Sequence, residues 1–282
     1  MKAGASRVIT LLTDFGTADY FVAAVKGVIL TINPHVSLVD ITHEVPPQDI
    51  ETGAFTLLNC YRDFPSQTIH VAVVDPGVGS ARRGIVVRAG VHYFVGPDNG
   101  LFSYLCDRES SCEVFELAED KYFRPQPSSS FHGRDVFAPA AAELSRGTKP
   151  EELGPQIKDA VRLAPLAPVK DQDGSLRGRI IHIDHFGNCI TNLTRSDLPN
   201  PNQINLLVKR KVIRHLRRFF ADEASAKPAG AKPAGAKTAK AGTKDELFAI
   251  WGSAGFLELS INGGSAATAL RAKRGDPVIA SV

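Results

Sequence analysis

The chain has 282 residues, 43% of them hydrophobic and 22% charged, a globular composition long enough for two domains of ordinary size. Its formal charge of +3 is uneven: between Lys209 and Lys244 eleven Lys or Arg stand against Asp222 and Glu223, a local net of +9 that leaves −6 for the rest. A nucleic-acid-binding domain carries its excess on the folded body and a membrane span needs about 20 apolar residues; the longest apolar run, Phe21 to Ile32, is cut by Lys26 and Gly27, so neither class fits.

The run Val8 to Leu12 meets Asp14 at once and reads as a first strand, not a secretion signal, which makes a cytoplasmic location the expectation. That strand, Ile9 to Thr13, leads through Thr13-Asp14-Phe15-Gly16 and Asp19 into an amphipathic helix, Tyr20 to Ile32, stopped by Asn33-Pro34. Val36 to Ile41 is a second strand, and Pro47 to Arg62 a helix with Pro47 in its first turn. Strands follow at Ile69 to Val74, Ile85 to Ala89 and Val91 to Val95, and an Ala-rich helix at Arg134 to Arg146. This alternation predicts an α/β domain, residues 1–165, with a central mixed, mainly parallel sheet between helices. Leu163 to Asp173, with Pro165 and Pro168, reads as a linker, assigned to 166–175. Beyond it the pattern turns to β: Arg179 to Asp184 and Cys189 to Leu193 flank His185-Phe186-Gly187-Asn188, a hairpin signal, and Leu247 to Trp251, Gly255 to Ile261 and Pro277 to Val282 follow. A small all-β, barrel-like domain over 176–282 is expected, interrupted at about 222–244 by a Lys, Ala, Pro and Gly-rich insertion that cannot bury apolar area and reads as disordered. Cys60, Cys106, Cys112 and Cys189 lack paired metal spacing, and a chain this long does not need disulfides, so four reduced thiols are expected.

The most informative stretch is Val73-Val74-Asp75-Pro76-Gly77-Val78-Gly79-Ser80-Ala81-Arg82-Arg83. It ends a buried strand on a carboxylate, where open α/β sheets hold ligands, and turns tightly toward two arginines, either of which can keep Asp75 ionised. The plainer alternative is a turn-capping Asp beside solvated arginines. Asp14, at the end of the first strand, suits a ribose diol or a helix cap equally. His132, in Ser130-Phe131-His132-Gly133-Arg134-Asp135, suits a base, an orienting group, a metal ligand or a structural histidine. Asp98-Asn99-Gly100 reads as a structural turn. Asp184, Phe186 and Asn188 gather a carboxylate, an aromatic face and an amide on one hairpin, fit for a purine or an ammonium, or simply a polar tip. No Gly-x-Gly-x-x-Gly or phosphate loop occurs, so the ligand should lack a pyrophosphate; no metal-ligand spacing and no Gly-x-Ser-x-Gly elbow occur either, so no metal is expected.

Taken in order, Leu12-Thr13-Asp14-Phe15-Gly16, the Val74 to Arg83 stretch, Gly96-Pro97-Asp98-Asn99-Gly100, Phe131-His132-Gly133-Arg134-Asp135, Asp184-x-Phe186-Gly187-Asn188 and Gly252-Ser253-Ala254-Gly255-Phe256-Leu257-Glu258 resemble the S-adenosyl-L-methionine (SAM) hydroxide adenosyltransferases, relatives of the SAM-dependent fluorinase and chlorinase. The resemblance implies hydrolysis of SAM to adenosine and L-methionine by in-line attack of an activated water on ribose C5′, with SAM as substrate and no cofactor. By that resemblance Asp75, Arg82 and His132 activate the water and Asp14 holds the ribose hydroxyls. Asn188 meets adenine, Phe186 shapes that pocket, and Asp184 with Ser253 holds the amino and carboxylate ends of methionine. It further implies a homotrimer with sites between subunits. Two departures stand out: the family's adenine-side aromatic falls at the insertion, with Phe248 or Trp251 as replacements, and Ala254 stands where the fluorinase has an arginine. The alternatives are a SAM-dependent halogenase, against which the Asp75 carboxylate argues by repelling a halide, and a SAM- or adenosine-binding protein without turnover.

Overall fold

The computed structural model describes residues 7–198, 204–220 and 246–281; the insertion expected at 222–244 lies outside them. The chain forms two compact units, Met1–Pro165 and Leu166–Val282.

The first unit is built on a seven-stranded mixed sheet. Its strands are β1 (Val8–Thr13), β2 (Ser37–Thr42), β3 (Ile69–Val73), β4 (Gly84–Ala89), β5 (His92–Pro97), β6 (Cys112–Glu116) and β7 (Gln156–Ile157), in spatial order β2-β1-β3-β5-β4-β6-β7. The β2, β1, β3 and β5 pairings are parallel, and β4, β6 and β7 extend the sheet antiparallel. Strand alternation decides which residue faces which layer. Ile9, Leu11, Val71 and Val73 enter one core with Val25 and Ile29 of helix α1 (Phe21–Ile32) and with the Ala-rich helix described below. On the opposite face Leu12 and Val74 meet Gly53 of α2 (Ile50–Leu58), whose missing Cβ leaves 2.9 Å to Leu101 Cδ1, so any side chain there would displace that core. Each fully buried Leu, Ile or Val contributes about 1.5–3 kcal/mol. The same face carries His70, fully buried, with Nδ1 2.7 Å from Thr10 Oγ1 and its ring stacked on Phe94.

The helix expected over Pro47 to Arg62 is shorter. Gln48 sits at φ +66, outside the helical basin, and Asp49 caps the helix by accepting from Thr52 N. The displaced turn has a use, since Gln48 N donates to Asp14 Oδ2 at 2.8 Å. The sequence reading passed over α3 (Ser103–Arg108), β6 and β7, all short. The expected reduced state of all four cysteines is corrected as well. Cys106 and Cys112 form a disulfide, because the α3–β6 connection brings their Cα atoms to 5.3 Å, inside the range of about 4.4–6.8 Å that such bonds span. Cys60 and Cys189 are free, and burial pushes both thiols up to about 11. The helix expected from Arg134 begins as one π turn, Gly133–Phe137, before α4 (Ala138–Arg146), which closes at Gly147 in the left-handed conformation.

The second unit is a nine-stranded sheet running β12-β11-β16-β9-β10-β15-β14-β13, with β8 beside β9. Its strands are β8 (Val169–Lys170), β9 (Leu176–Ile183), β10 (Cys189–Thr194), β11 (Asn205–Val208), β12 (Lys211–Ile213), β13 (Leu216–Arg217), β14 (Leu247–Trp251), β15 (Phe256–Ile261) and β16 (Pro277–Ser281). The sheet curls, bringing β12 back against β14, around a core that includes Ile180, Leu193, Leu206, Leu257, Leu259 and Val278. No helix among the described residues is long and apolar enough to cross a membrane.

Candidate active site

In the first unit the end of β3 delivers Asp75 into a turn in which Val78 N donates to Asp75 O and Ser80 N to Gly77 O. Gly79 is required twice over: its φ is +77, and a Cβ there would lie 2.1 Å from Ser129 O. The turn therefore presses directly on the 128–132 loop, and only glycine permits the approach. Arg82 returns over the turn, steadied by Ser80 Oγ, which accepts from Arg82 N. Its Nε lies 3.0 Å from each Asp75 oxygen, and Nη2 donates both to Asp75 Oδ2 and, at 2.8 Å, to His132 Nδ1. The Arg82 and Asp75 side chains are only 10% and 5% exposed. Adjacent residues of extended chain point to opposite faces, so Arg83 goes elsewhere and binds Asp98 at 2.7 Å and Asp159 at 2.9 Å. Asp98 also accepts from Val161 N, and Asn99 Nδ2 donates to Val74 O, which makes that motif a structural brace.

His132 is placed by the 128–132 loop, which Asp135 pins: buried, it accepts from Ser128 N at 2.9 Å and from Arg134. Burial opposes the Asp135 charge, but the Arg134 and Ser128 hydrogen bonds and Arg124 outweigh it and hold its carboxyl below the usual range. At His132, burial and then the Arg82 charge hold the imidazole below its ordinary value, against the pull of Asp75 and Asp135. A guanidinium has no acceptor, so Nδ1 must accept from Arg82 and the neutral ring carries its proton on Nε2. Asp75, His132 and Asp14 line one cavity of about 300 Å³ with Phe15, Phe21 and Phe131. These three rings pack mutually, with centroids 5.1–6.0 Å apart. The sequence reading did not single them out as a group, because Phe15 and Phe131 lie in loops without periodicity and Phe21 reads as an ordinary residue at the start of α1.

The second unit holds a cavity of about 750 Å³ lined by Asp184, Phe186, Asn188, Ser253 and Trp251, and by Phe220 and Glu258, which sequence reasoning had not placed there. Of the two proposed replacement aromatics, Trp251 lines this cavity, while Phe248 is fully buried beneath Arg217. The β9–β10 turn is organised by Asp184, whose Oδ1 accepts from Phe186 N and Asn188 N and whose Oδ2 accepts from Asn188 Nδ2 at 2.8 Å. Gly187 takes φ +82 and lies against Ser265, the cap of helix α6 (Ala266–Leu270). With its backbone so fixed, Phe186 stands 75% exposed. Among the described residues no group of three or more His, Cys, Asp or Glu could hold a metal ion.

Residues 9–154 match the SAM hydroxide adenosyltransferase N-terminal domain and residues 178–279 its C-terminal domain. A Thermus thermophilus protein named (R)-S-adenosyl-L-methionine hydrolase is 37% identical, over 96% of this chain and 98% of its own. A fluorinase from an Actinoplanes species is 31% identical over 70% of this chain and 75% of its own. The crystal structure of an uncharacterized conserved protein from Thermotoga maritima superposes with a TM-score of 0.84 at 32% identity, covering 97% of this chain and all of that one. Matched in order by both domains and along nearly its whole length by relatives, the chain belongs to the SAM hydroxide adenosyltransferase family.

Proposed function

We propose that the protein hydrolyses SAM to adenosine and L-methionine, the observation carrying this reading being the Arg82 fork that joins Asp75 to His132 in the cavity shared with Asp14. A sulfonium leaves as a neutral thioether, so the C5′–S electron pair needs no acid, metal or cofactor to receive it; the difficulty lies in making the nucleophile. Water forms the new O–C5′ bond and loses a proton. Asp75 is the base, Arg82 holds and orients it, and neutral His132 positions the oxygen through Nε2–H. Fixed placement of the three gives the near-attack geometry. Asp14, already anchored by Gln48 N, holds the ribose hydroxyls. In the second unit Asn188 and Phe186 take the adenine, and Asp184 and Ser253 the methionine end. The same reading makes the protein a cytoplasmic homotrimer with no nucleic-acid or membrane partner, which sedimentation velocity checks for the oligomer.

A halogenase is the second reading, and the charge balance disfavours it. A halide stripped of water needs an uncommitted cation, but the Arg82 guanidinium is held by the Asp75 carboxylate, and that carboxylate repels an anion. The deciding experiment incubates purified protein with each sulfonium epimer of SAM, with and without chloride, and separates the products. Adenosine and methionine are expected, from the (R) epimer by the relatives' name, and lost in Asp75→Ala. 5′-Chloro-5′-deoxyadenosine would make the protein a halogenase, and tight binding without product would make it a binding protein.

A further inference from the structure

Glu258 is a carboxylate that the fold holds in place and leaves unmatched. It lies on β15, whose Leu257 and Leu259 enter the core, and it lines the larger cavity with Asp184. Its side chain folds against Gly252 so closely that a Cβ on that glycine would stand 1.7 Å from Glu258 Oε1. Gly252 itself is fixed by donating to Phe256 O at 2.9 Å. Yet the structure gives the Glu258 carboxylate no hydrogen bond and no cation among the described residues, whereas Asp184 beside it already accepts three bonds from its own turn. Burial, and then the Asp184 charge, push the Glu258 carboxyl above its usual range, so its charge is electrostatically unfavourable among these protein groups. Such groups are kept where a ligand completes them.

We propose that Glu258 is the specificity-determining acceptor for a ligand ammonium, and, resting on the hydrolase reading, that this is the α-ammonium of the SAM methionyl end. Asp184, whose oxygens already hold the turn that carries Phe186 and Asn188, then shares the methionine end with Glu258, which supplies the uncommitted oxygens. The Gly252 cradle sets where that charge sits.

The test compares the natural chain with Glu258→Gln and Gly252→Ala on two ligands, SAM and its sulfonium analogue in which the methionyl end is a butanoate lacking the α-amino group. Loss of one charged hydrogen bond should raise KM for SAM about 10- to 100-fold in Glu258→Gln, with kcat changed far less and the des-amino analogue within about threefold. Gly252→Ala should do the same with Glu258 still present, since its Cβ displaces the carboxylate. Without ligand, Glu258→Gln should melt no lower than the natural chain, because it removes a half-buried charge that has no partner. A uniform effect on both ligands, an unchanged preference for SAM, or a lower melting temperature with unaltered KM would overturn the proposal. Equilibrium dialysis of both ligands separates the two readings. If the natural chain forms no adenosine but binds SAM over the analogue, and Glu258→Gln abolishes that preference, the hydrolase reading falls and this one stands.

Discussion

Replacing Arg82 by Gln isolates what holds the reactive group together. The guanidinium makes three contacts to Asp75 and one to His132 from a position only 10% exposed. Its loss leaves a nearly buried carboxylate unpaired, which costs about 3–5 kcal/mol; with a urea dependence of about 2 kcal/mol per molar, the unfolding midpoint should fall by roughly 2 M. At His132 the positive charge that helps lower its pKa disappears while the pull of Asp75 and Asp135 remains, so the imidazole gains a proton at higher pH. A ring protonated on Nδ1 no longer accepts a hydrogen bond, and it neutralises the base. The acid limb of the pH profile of kcat/KM should therefore move upward, and kcat/KM at neutral pH should drop about 10³-fold, combining lost orientation with a compromised base. Arg82→Lys separates charge from geometry: it should retain the low acid limb while losing most of the rate, because an ammonium cannot reproduce the planar fork. The assay is adenosine release from SAM between pH 5 and 9. The reasoning is refuted if Arg82→Gln keeps kcat/KM within about tenfold and leaves the acid limb where the natural chain has it.

Three further outcomes are expected. Gly79→Ala combines a left-handed φ of +77 with a Cβ 2.1 Å from Ser129 O, so the turn must part from the 128–132 loop; urea unfolding should show at least about 1–2 kcal/mol of lost stability, and adenosine release should fall more than tenfold. His70 is buried with its pKa lowered from 6.5 to about 3. The fold thus keeps it neutral while the unfolded chain protonates, and this contribution is whole above pH 6.5 and lost as pH falls from there toward 3, at about 1.4 kcal/mol per pH unit. His70→Phe, which keeps the stacking on Phe94 but strands Thr10 Oγ1, should be less stable at pH 7 and lose less on acidification, read by denaturant titrations at pH 7, 6, 5 and 4. Thiol titration of the chain in denaturant should find two reactive groups before reduction and four after it, since Cys106 and Cys112 are joined; four at the outset would refute the bridge.

The legible parts of this molecule were those written in local sequence. Periodicity and stop signals placed β1, α1, β3 and β10 to within a residue, while β9 begins three residues before the Arg179 start that was read, and alternation separated an α/β unit from a β unit. Asp75, Arg82 and His132 were legible as a chemical group; the residues alone left either arginine open and the family resemblance chose Arg82, whose guanidinium the structure brings to Asp75 and His132. What escaped depends on partners remote in the chain. Pro47 looked like the first turn of a helix, yet Gln48 leaves the helical basin so that its N–H reaches Asp14, 34 residues earlier. Cys106 and Cys112 bore no framework pattern, and only the α3–β6 crossing sets their separation. Glu258 is the clearest case. Within Phe256-Leu257-Glu258-Leu259-Ser260-Ile261 it has the alternation of an ordinary solvent-facing strand residue. Its distinction lies in the absent side chain at Gly252 and in the nearby Asp184 charge on another strand connection. A carboxylate solvated on a surface and one reserved for a cation read identically in sequence; burial without a partner tells them apart, and that property belongs to the folded surroundings.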